Sequence, residues 1–244
     1  AWNGRLWVAV GNGTNTIATS TDGITWSGLG KSIFSSNGFG ISWNGSLWVA
    51  VGGTSNTIAS SPDGIIWTGR GTTMLSHGYN VAWNGSLWVA VGNGPNKIAT
   101  STNGIIWNTA TDHPFTQDIL GISWNDSNWV ATGDNTIATS INGINWSPVV
   151  TNVFIGGGAR GVAWNGGIGN VTIQHPIIAM GTANTSHSIA YSSNNGLSWS
   201  GLGTTLFSTK GISVVWNGTL WVGLGEGTNT LAYSYNGLNW YGLG

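Results

Sequence analysis

The 244-residue chain carries 6 Lys plus Arg, 7 Asp plus Glu, 4 His, 17 Trp, 41 Gly and no Cys. Charged residues make up 5% of it and the formal net charge is −1, which leaves no basic face for a phosphate backbone and argues against nucleic acid as a partner. No run approaches the ~18 consecutive apolar residues of a membrane-spanning helix, because Gly, Asn, Ser and Thr interrupt each one, and abundant, regularly placed Trp, Val and Ile exclude disorder.

The absence of Cys fits any redox compartment. A surface of Asn, Ser, Thr and Gly with little Lys points to an extracellular or particle (virion) surface. Eight N-x-[ST] triplets begin at Asn12, Asn44, Asn84, Asn125, Asn145, Asn170, Asn184 and Asn217. They read as turn chemistry, in which Asn-Gly happens to precede Ser or Thr.

Internal repetition dominates the chain. Trp-Asn-Gly or a close variant begins at Trp2, Trp43, Trp83, Trp124, Trp164 and Trp216, at intervals of 41, 40, 41, 40 and 52 residues. A second signature closes each unit: STDGITW ending at Trp26, SPDGIIW at Trp67, STNGIIW at Trp107, SINGINW at Trp146, SSNNGLSW at Trp199 and SYNGLNW at Trp240. The long interval reflects an insertion in the fifth unit, at about residues 167–175.

In the second unit, residues 40–43 form a short strand. Asn44-Gly45 then offers a two-residue type I′ hairpin turn. Residues 47–51 (LWVAV) are a β-rich strand buried on both faces, residues 56–61 a third strand, and Pro62-Asp63-Gly64 turns the chain into a fourth at residues 65–68. Four strands per unit without helical periodicity predict an all-β fold, a single six-bladed β-propeller spanning residues 1–244. A parallel β-helix would need shorter rungs, and a helical solenoid an i, i+3, i+4 stripe. From each closing Trp to the next Trp-Asn-Gly the step is 16–18 residues. Comparison with Trp240 predicts about eleven further residues of a closing connection in the native chain, with both ends in a loop and no strand borrowed to complete a blade.

The closing signature resembles the Asp-box (BNR) repeat of sialidase-like propellers, usually written S-x-D-x-G-x-x-W. Five units are one residue shorter; residues 192–199 keep the full spacing, with Asn194 at the Asp position. The whole chain is similar to the VAWNGxLWVAVG…IATSxDGIxW repeats of bacterial and large-virus proteins. The resemblance implies the propeller fold. It does not imply one function, since Asp boxes occur in enzymes, receptors and scaffolds.

The residues of the signature read as structural: Asp22, Asp63, Asn103, Asn142, Asn194 and Asn236 can each accept backbone N–H bonds of their own turn, as carboxylate or amide alike. Catalysis or calcium binding would not tolerate that exchange. The Trp residues divide into six from the Trp-Asn-Gly turns, five from the Leu-Trp-Val strands and six from the closing signatures. This periodicity marks them as core.

Catalysis has little material. The resemblance to sialidases would require three converging Arg, a Tyr–Glu pair and an Asp. The chain has Arg5 near a hairpin, Arg70 and Arg160 read as inter-blade connections, and a single Glu, Glu226. No carboxylate pair of the glycosidase kind is visible, and the polar stretch at residues 112–118 reads as a solvated loop. The chain is read as a non-enzyme without cofactor or metal.

By connectivity, the Asn-Gly hairpins and closing turns share one face, read as uniform turn scaffolding. The loops between second and third strands share the other with the inter-unit connections. That second face is the expected ligand surface: Asn15, Asn56, Asn96, Asn135 and Asn229 as hydrogen-bonding groups, with Phe34, Phe115 and Phe207 (and Phe154) as apolar surface. The sequence thus points to a recognition module for neutral glycans or a surface glycoprotein, multivalent through its six units. The alternatives are a structural or protein-interaction head of a viral or extracellular assembly, or a glycoside hydrolase.

Overall fold

The computed structural model describes residues 1–134, 136–149, 153–154, 157–166, 176–182 and 186–244. Asn135 and the insertion at about residues 167–175 lie outside the described residues. All regular elements among the described residues are strands, in six antiparallel sheets consecutive along the chain, the blades of a six-bladed β-propeller. Two compact units each hold three sheets: residues 1–111 and residues 112–244.

In the first unit, β1 (Trp7–Val10), β2 (Ile17–Ser20) and β3 (Ser27–Gly28) form one sheet. The second contains β4 (Gly38–Trp43), β5 (Trp48–Gly52), β6 (Ile58–Ser61) and β7 (Thr68–Gly69). The third contains β8 (His77–Trp83), β9 (Trp88–Asn93), β10 (Ile98–Ser101) and β11 (Asn108–Thr109). Here β1 packs beside β4, and β4 beside β8.

The second unit repeats the plan. Its sheets are β12 (Ile119–Trp124) to β15 (Ser147–Val149) through β13 (Trp129–Gly133) and β14 (Thr136–Ser140); β16 (Ala159–Trp164) to β19 (Ser200–Gly201) through β17 (Ile177–Gly181) and β18 (Ile189–Ser192); and β20 (Lys210–Trp216) to β23 (Tyr241–Gly242) through β21 (Trp221–Glu226) and β22 (Leu231–Ser234). β12 packs beside β16, and β16 beside β20.

Three local features differ from the sequence expectations. The first sheet has three strands, not four; in place of a first strand it has a single bridge between Trp2 and Trp7. The Asn-Gly hairpins are not two-residue type I′ turns. Trp43 pairs with Trp48, so residues 44–47 form the loop, and Asn44 accepts the N–H groups of Ser46 (2.9 Å) and Leu47 (2.7 Å) on its Oδ1. The Asn side chain organises the turn, and of the pair only Gly45 (φ 99°) has positive φ. The fourth strand of the second unit starts at Thr68 rather than residue 65, because the N–H groups of Ile65 and Ile66 are already bound to Asp63.

The core lies between successive sheets. Val8 and Ile17 of the first sheet meet Trp48, Ala50 and Ala59 of the second, with Phe34 of the intervening connection among them. Ile178, Met180 and Ile189 meet Val214, Trp221 and Ala232 in the same way, around Phe207. Trp48, Trp88, Trp129 and Trp221 are fully buried, and the Nε1 of each finds no protein acceptor. Removing one indole from water contributes about 4–6 kcal/mol gross, against about 1–3 kcal/mol for an unpaired N–H. Burial wins, so Trp is tolerated there without a partner.

Candidate recognition surface

The Ser-to-Trp turns are hydrogen-bonded units, closed by the Trp indole in all but the third, where Trp107 Nε1 finds no acceptor among the described residues. In the second sheet, Asp63 Oδ1 accepts from the N–H of Ile65 and of Ile66, both 2.8 Å, and from the Ser61 hydroxyl (2.9 Å). Ser61 Oγ accepts from Gly64 N–H (2.8 Å), and Trp67 Nε1 donates to the Gly64 carbonyl (3.0 Å). Asn103, Asn142 and Asn236 make the same paired contacts through their amide oxygens. In the longer turn, Asn195 absorbs the extra residue at φ 59°, and Asn194 accepts from Ser198 N–H at 2.9 Å. The N–H groups of Thr25 and Ile24, with the Ser20 hydroxyl, hold the Asp22 carboxyl down at about 2. Those of Ile66 and Ile65 lower Asp63 likewise.

These bonds fix the backbone and leave the side chains after the Gly facing water. Ile24 is 85% exposed and Ile66 72%; Ile65, Ile105 and Ile106 complete the set in the first unit. In the second unit Ile144, Leu197 and Leu238 occupy the same turn position as Ile24, with Ile141 and Tyr235 exposed nearby. A hydrogen-bonded turn gains nothing from exposed isoleucine, so these side chains are the candidates for an interaction surface.

Clefts open beside these turns. One of ≈ 470 Å³ in the first unit is lined by Asn3, Arg5, Leu6, Thr21, Pro62, Asp63 and Ile65. One of ≈ 440 Å³ in the second unit includes Asn128, Ile141, Asn142, Asn145 and Leu197. Both lie between the hairpin or turn of one sheet and the Ser-to-Trp turn of the next. The face read from sequence as uniform scaffolding therefore carries these two clefts and this set of exposed apolar side chains.

The residues expected to bind ligand are largely committed elsewhere. Asn56 donates its Nδ2 to the Ile33 carbonyl (2.9 Å) and accepts Gly71 N–H on Oδ1 (3.2 Å). Asn229 does the same with Leu206 (2.8 Å) and Gly244 (3.1 Å), and Asn15 accepts Gly30 N–H at 2.8 Å. They latch the loop to the end of the outer strand, which approaches closely through Gly28, Gly69 and Gly242. His187 replaces Asn in the same role, its Nδ1 accepting Gly203 N–H at 2.9 Å. In the third sheet Thr109 stands at the outer-strand Gly position, and Asn96 makes no such bond. Phe34, Phe115, Phe154 and Phe207 are buried plugs beneath the connections and present no ring to a ligand.

Sequence reasoning missed the bulged first strands. Pairing slips by one residue in each, at Phe39, Tyr79, Leu120, Arg160 and Ile212. The sequence signal is the extra residue before the Gly-Ile-Ser-Trp pattern. Bulges re-aim side chains and occur beside functional sites. In the first unit the Phe39 and Tyr79 rings meet edge to face at 5.3 Å. Asn93 Nδ2 donates to the Tyr79 hydroxyl at 3.1 Å, and His77 stacks on Tyr79 at 6.5 Å.

Arg70 donates from Nε and Nη2 to Ser60 Oγ (2.9 and 2.6 Å), whereas Arg5 lines the turn-side cleft. Arg160 lies within β16, not in a connection, with Nε 3.4 Å from Thr182 Oγ1, and Glu226 pairs with Lys210 at 2.9 Å. Among the described residues no group of three His, Asp or Glu could hold a metal ion. Among the described residues no helix is long and apolar enough to cross a membrane.

No family model and no curated protein matches the chain. Solved structures do. A nidogen/laminin complex contains a chain similar over 97% of this one and 92% of its own length, at TM-score 0.65 and 12% identity. YCF48 from Cyanidioschyzon merolae is similar over 81% of this chain and 70% of its own, at TM-score 0.53 and 15% identity. At these identities the likeness is one of fold.

Proposed function

We propose that the chain is a non-enzymatic recognition module that meets an apolar protein surface with its Ser-to-Trp turns, outside the cell or on a particle. The observation that carries this reading is the exposed Ile or Leu at one position in all six turns, where each turn's backbone N–H groups are already satisfied. The shared Ser, Asp or Asn and Gly bonding, with the Trp indole joining it in five of the six turns, supports assigning the repeats to the Asp-box type. The nidogen/laminin structure supports a protein partner, since a similar fold there occurs in a protein complex. Repetition makes the contact multivalent, so weak single contacts combine into avidity. A neutral glycan is the second reading, favoured by the exposed Phe39 on Tyr79 with Asn93 and His77 beside them.

The test immobilises the protein and measures retention of candidate surface proteins, with a glycan array in parallel. The module reading expects protein capture that is lost in an Ile24→Ser/Ile65→Ser/Ile105→Ser variant. Glycan binding lost on Phe39→Ala, with no protein capture, would replace it by the second reading. Turnover of a glycoside panel would overturn both.

A further inference from the structure

The repeats serve as one another's controls, and the hairpin of the fourth sheet departs from its sisters. Leu6, Leu47, Leu87 and Leu220 stand directly before the second-strand Trp in four units; in the fourth unit Asn128 stands there. The sister leucine covers the turn glycine of the next sheet: a Cβ on Gly64 would lie 3.0 Å from Leu6, and one on Gly104 2.6 Å from Leu47. At Gly196, the corresponding glycine of the fifth sheet, the nearest atoms belong to Val130, Thr139 and Ile177, none to Asn128. Asn128 instead donates its Nδ2 to the Asn195 carbonyl, 3.4 Å away in the longer turn of that sheet. An apolar seal between hairpin and turn is thus exchanged for an amide, and the cleft of ≈ 440 Å³ opens beside it.

The turn does not consume the polar groups that line this cleft. Asn142 spends its Oδ1 on the N–H groups of Ile144 and Asn145 (both 2.9 Å) and on the Ser140 hydroxyl (3.1 Å). Its Nδ2 has no acceptor among the described residues. Asn128 Oδ1, the Asn145 side chain and the Ser147 hydroxyl likewise have no partner among the described residues. Ile141 (79% exposed) and Leu197 (62%) border the cleft with their side chains in water. No charged side chain lines it, and Asp126 in the same hairpin disfavours an anion nearby. The first-unit cleft carries Leu6, Arg5 and Asp63 instead.

We propose that this second-unit cleft binds one neutral sugar residue, free or at the end of a glycan. A primary amide both donates and accepts, as does a hydroxyl, so Asn128, Asn142, Asn145 and Ser147 match a ring of sugar hydroxyls that act both ways. Ile141 and Leu197 supply the apolar border for its C–H groups. The volume lies within the range of small-molecule sites, about 300–1,000 Å³. An extended peptide is the poorer fit. It would seek a row of free backbone N–H groups, and those of Gly143, Ile144 and Asn145 are already bound to Ser140 and Asn142. The site shares its ligand class with the second reading above but none of its residues, and it uses none of Ile24, Ile65 and Ile105. Each of the three can fail without the others.

The experiment titrates the chain with glucose, galactose, mannose and N-acetylglucosamine and follows the side-chain amide resonances of its asparagines by NMR. The expected result is a saturable shift of the Asn142 and Asn145 signals with at least one of these sugars, at a Kd in the millimolar range. Asn145→Ala removes an exposed side chain that holds nothing in place, and should weaken binding about tenfold with Tm unchanged. Asn128→Leu restores the sister residue and should weaken binding as much, with Tm equal or higher. Glucuronic acid should bind no tighter than glucose. No saturable shift with any neutral sugar overturns the proposal, as does binding that both variants retain. Tighter binding of the acid overturns the neutral class. A shift confined to Asn93 and abolished by Phe39→Ala overturns this cleft in favour of the second reading's site. Shifts with N-acetyl-alanine amide and none with sugars overturn it in favour of a peptide.

Discussion

A Cβ placed on Gly64 would lie 3.0 Å from Nε1 of Trp48, the buried indole of the same sheet. The same direction meets Leu6 and Val8 of the preceding sheet, each at 3.0 Å. Gly104 stands in the same relation to Trp88 (3.2 Å) and Gly237 to Trp221 (3.2 Å). The turn glycine therefore serves two needs: a backbone with φ 77°, and the closest approach of the turn to the core Trp.

Gly64→Ala should accordingly cost more than a hairpin glycine. The positive φ costs about 1–2 kcal/mol, and crowding a packed site adds about 1–3 kcal/mol. Gly45→Ala meets only the first term, since its φ is 99° and nothing lies within 4 Å of the added carbon. Denaturant or thermal melts of the two variants check this. Equal losses would remove the packing half of the account.

The carboxylates should make themselves felt in acid. Asp22 is held at about 2 by backbone and hydroxyl donors, below the ~3.9 of an unfolded Asp. Its contribution is complete above that unfolded value and is lost as pH falls toward 2. Asp63 is lowered for the same reason. An Asp22→Asn/Asp63→Asn variant keeps the turns, as Asn103 and Asn142 do. It should melt close to the parent at pH 7 and lose less stability than the parent between pH 4 and pH 2. Parallel pH profiles would contradict it.

Loop asparagines separate structural from free amides. Asn56→Ala removes both latch bonds and should destabilise by about 1–3 kcal/mol. Asn96→Ala removes no equivalent latch and should stay within about 0.5 kcal/mol of the parent. Urea titration of the pair decides it.

Binding through the turns should be apolar in character. With charged residues at 5% of the chain, raising salt should change affinity little. Replacing Ile24, Ile65 and Ile105 by Ser should leave Tm nearly unchanged, since these side chains are exposed. Each isoleucine that the partner buries should contribute about tenfold in affinity. Titration calorimetry or surface binding at low and high salt is the measurement. A strong salt dependence would point to a charged contact instead.

The sequence by itself determined the repeat, the number of sheets and the roles of the turn residues. These follow from short-range chemistry: an Asp or Asn oxygen two and three residues from its donors, and a glycine where φ must be positive. Which face is available for binding was decided only by tertiary structure. Asn56 and Asn229 read as free amides until the outer strand, approaching through Gly69 and Gly242, occupies them. Phe34 and Phe207 read as surface rings until the neighbouring sheet closes over them. The isoleucines after each turn glycine read as strand residues. Asp63 takes the N–H groups of Ile65 and Ile66 out of the ladder, and both side chains stay in water because burial is set by distant segments rather than by hydrophobicity along the chain.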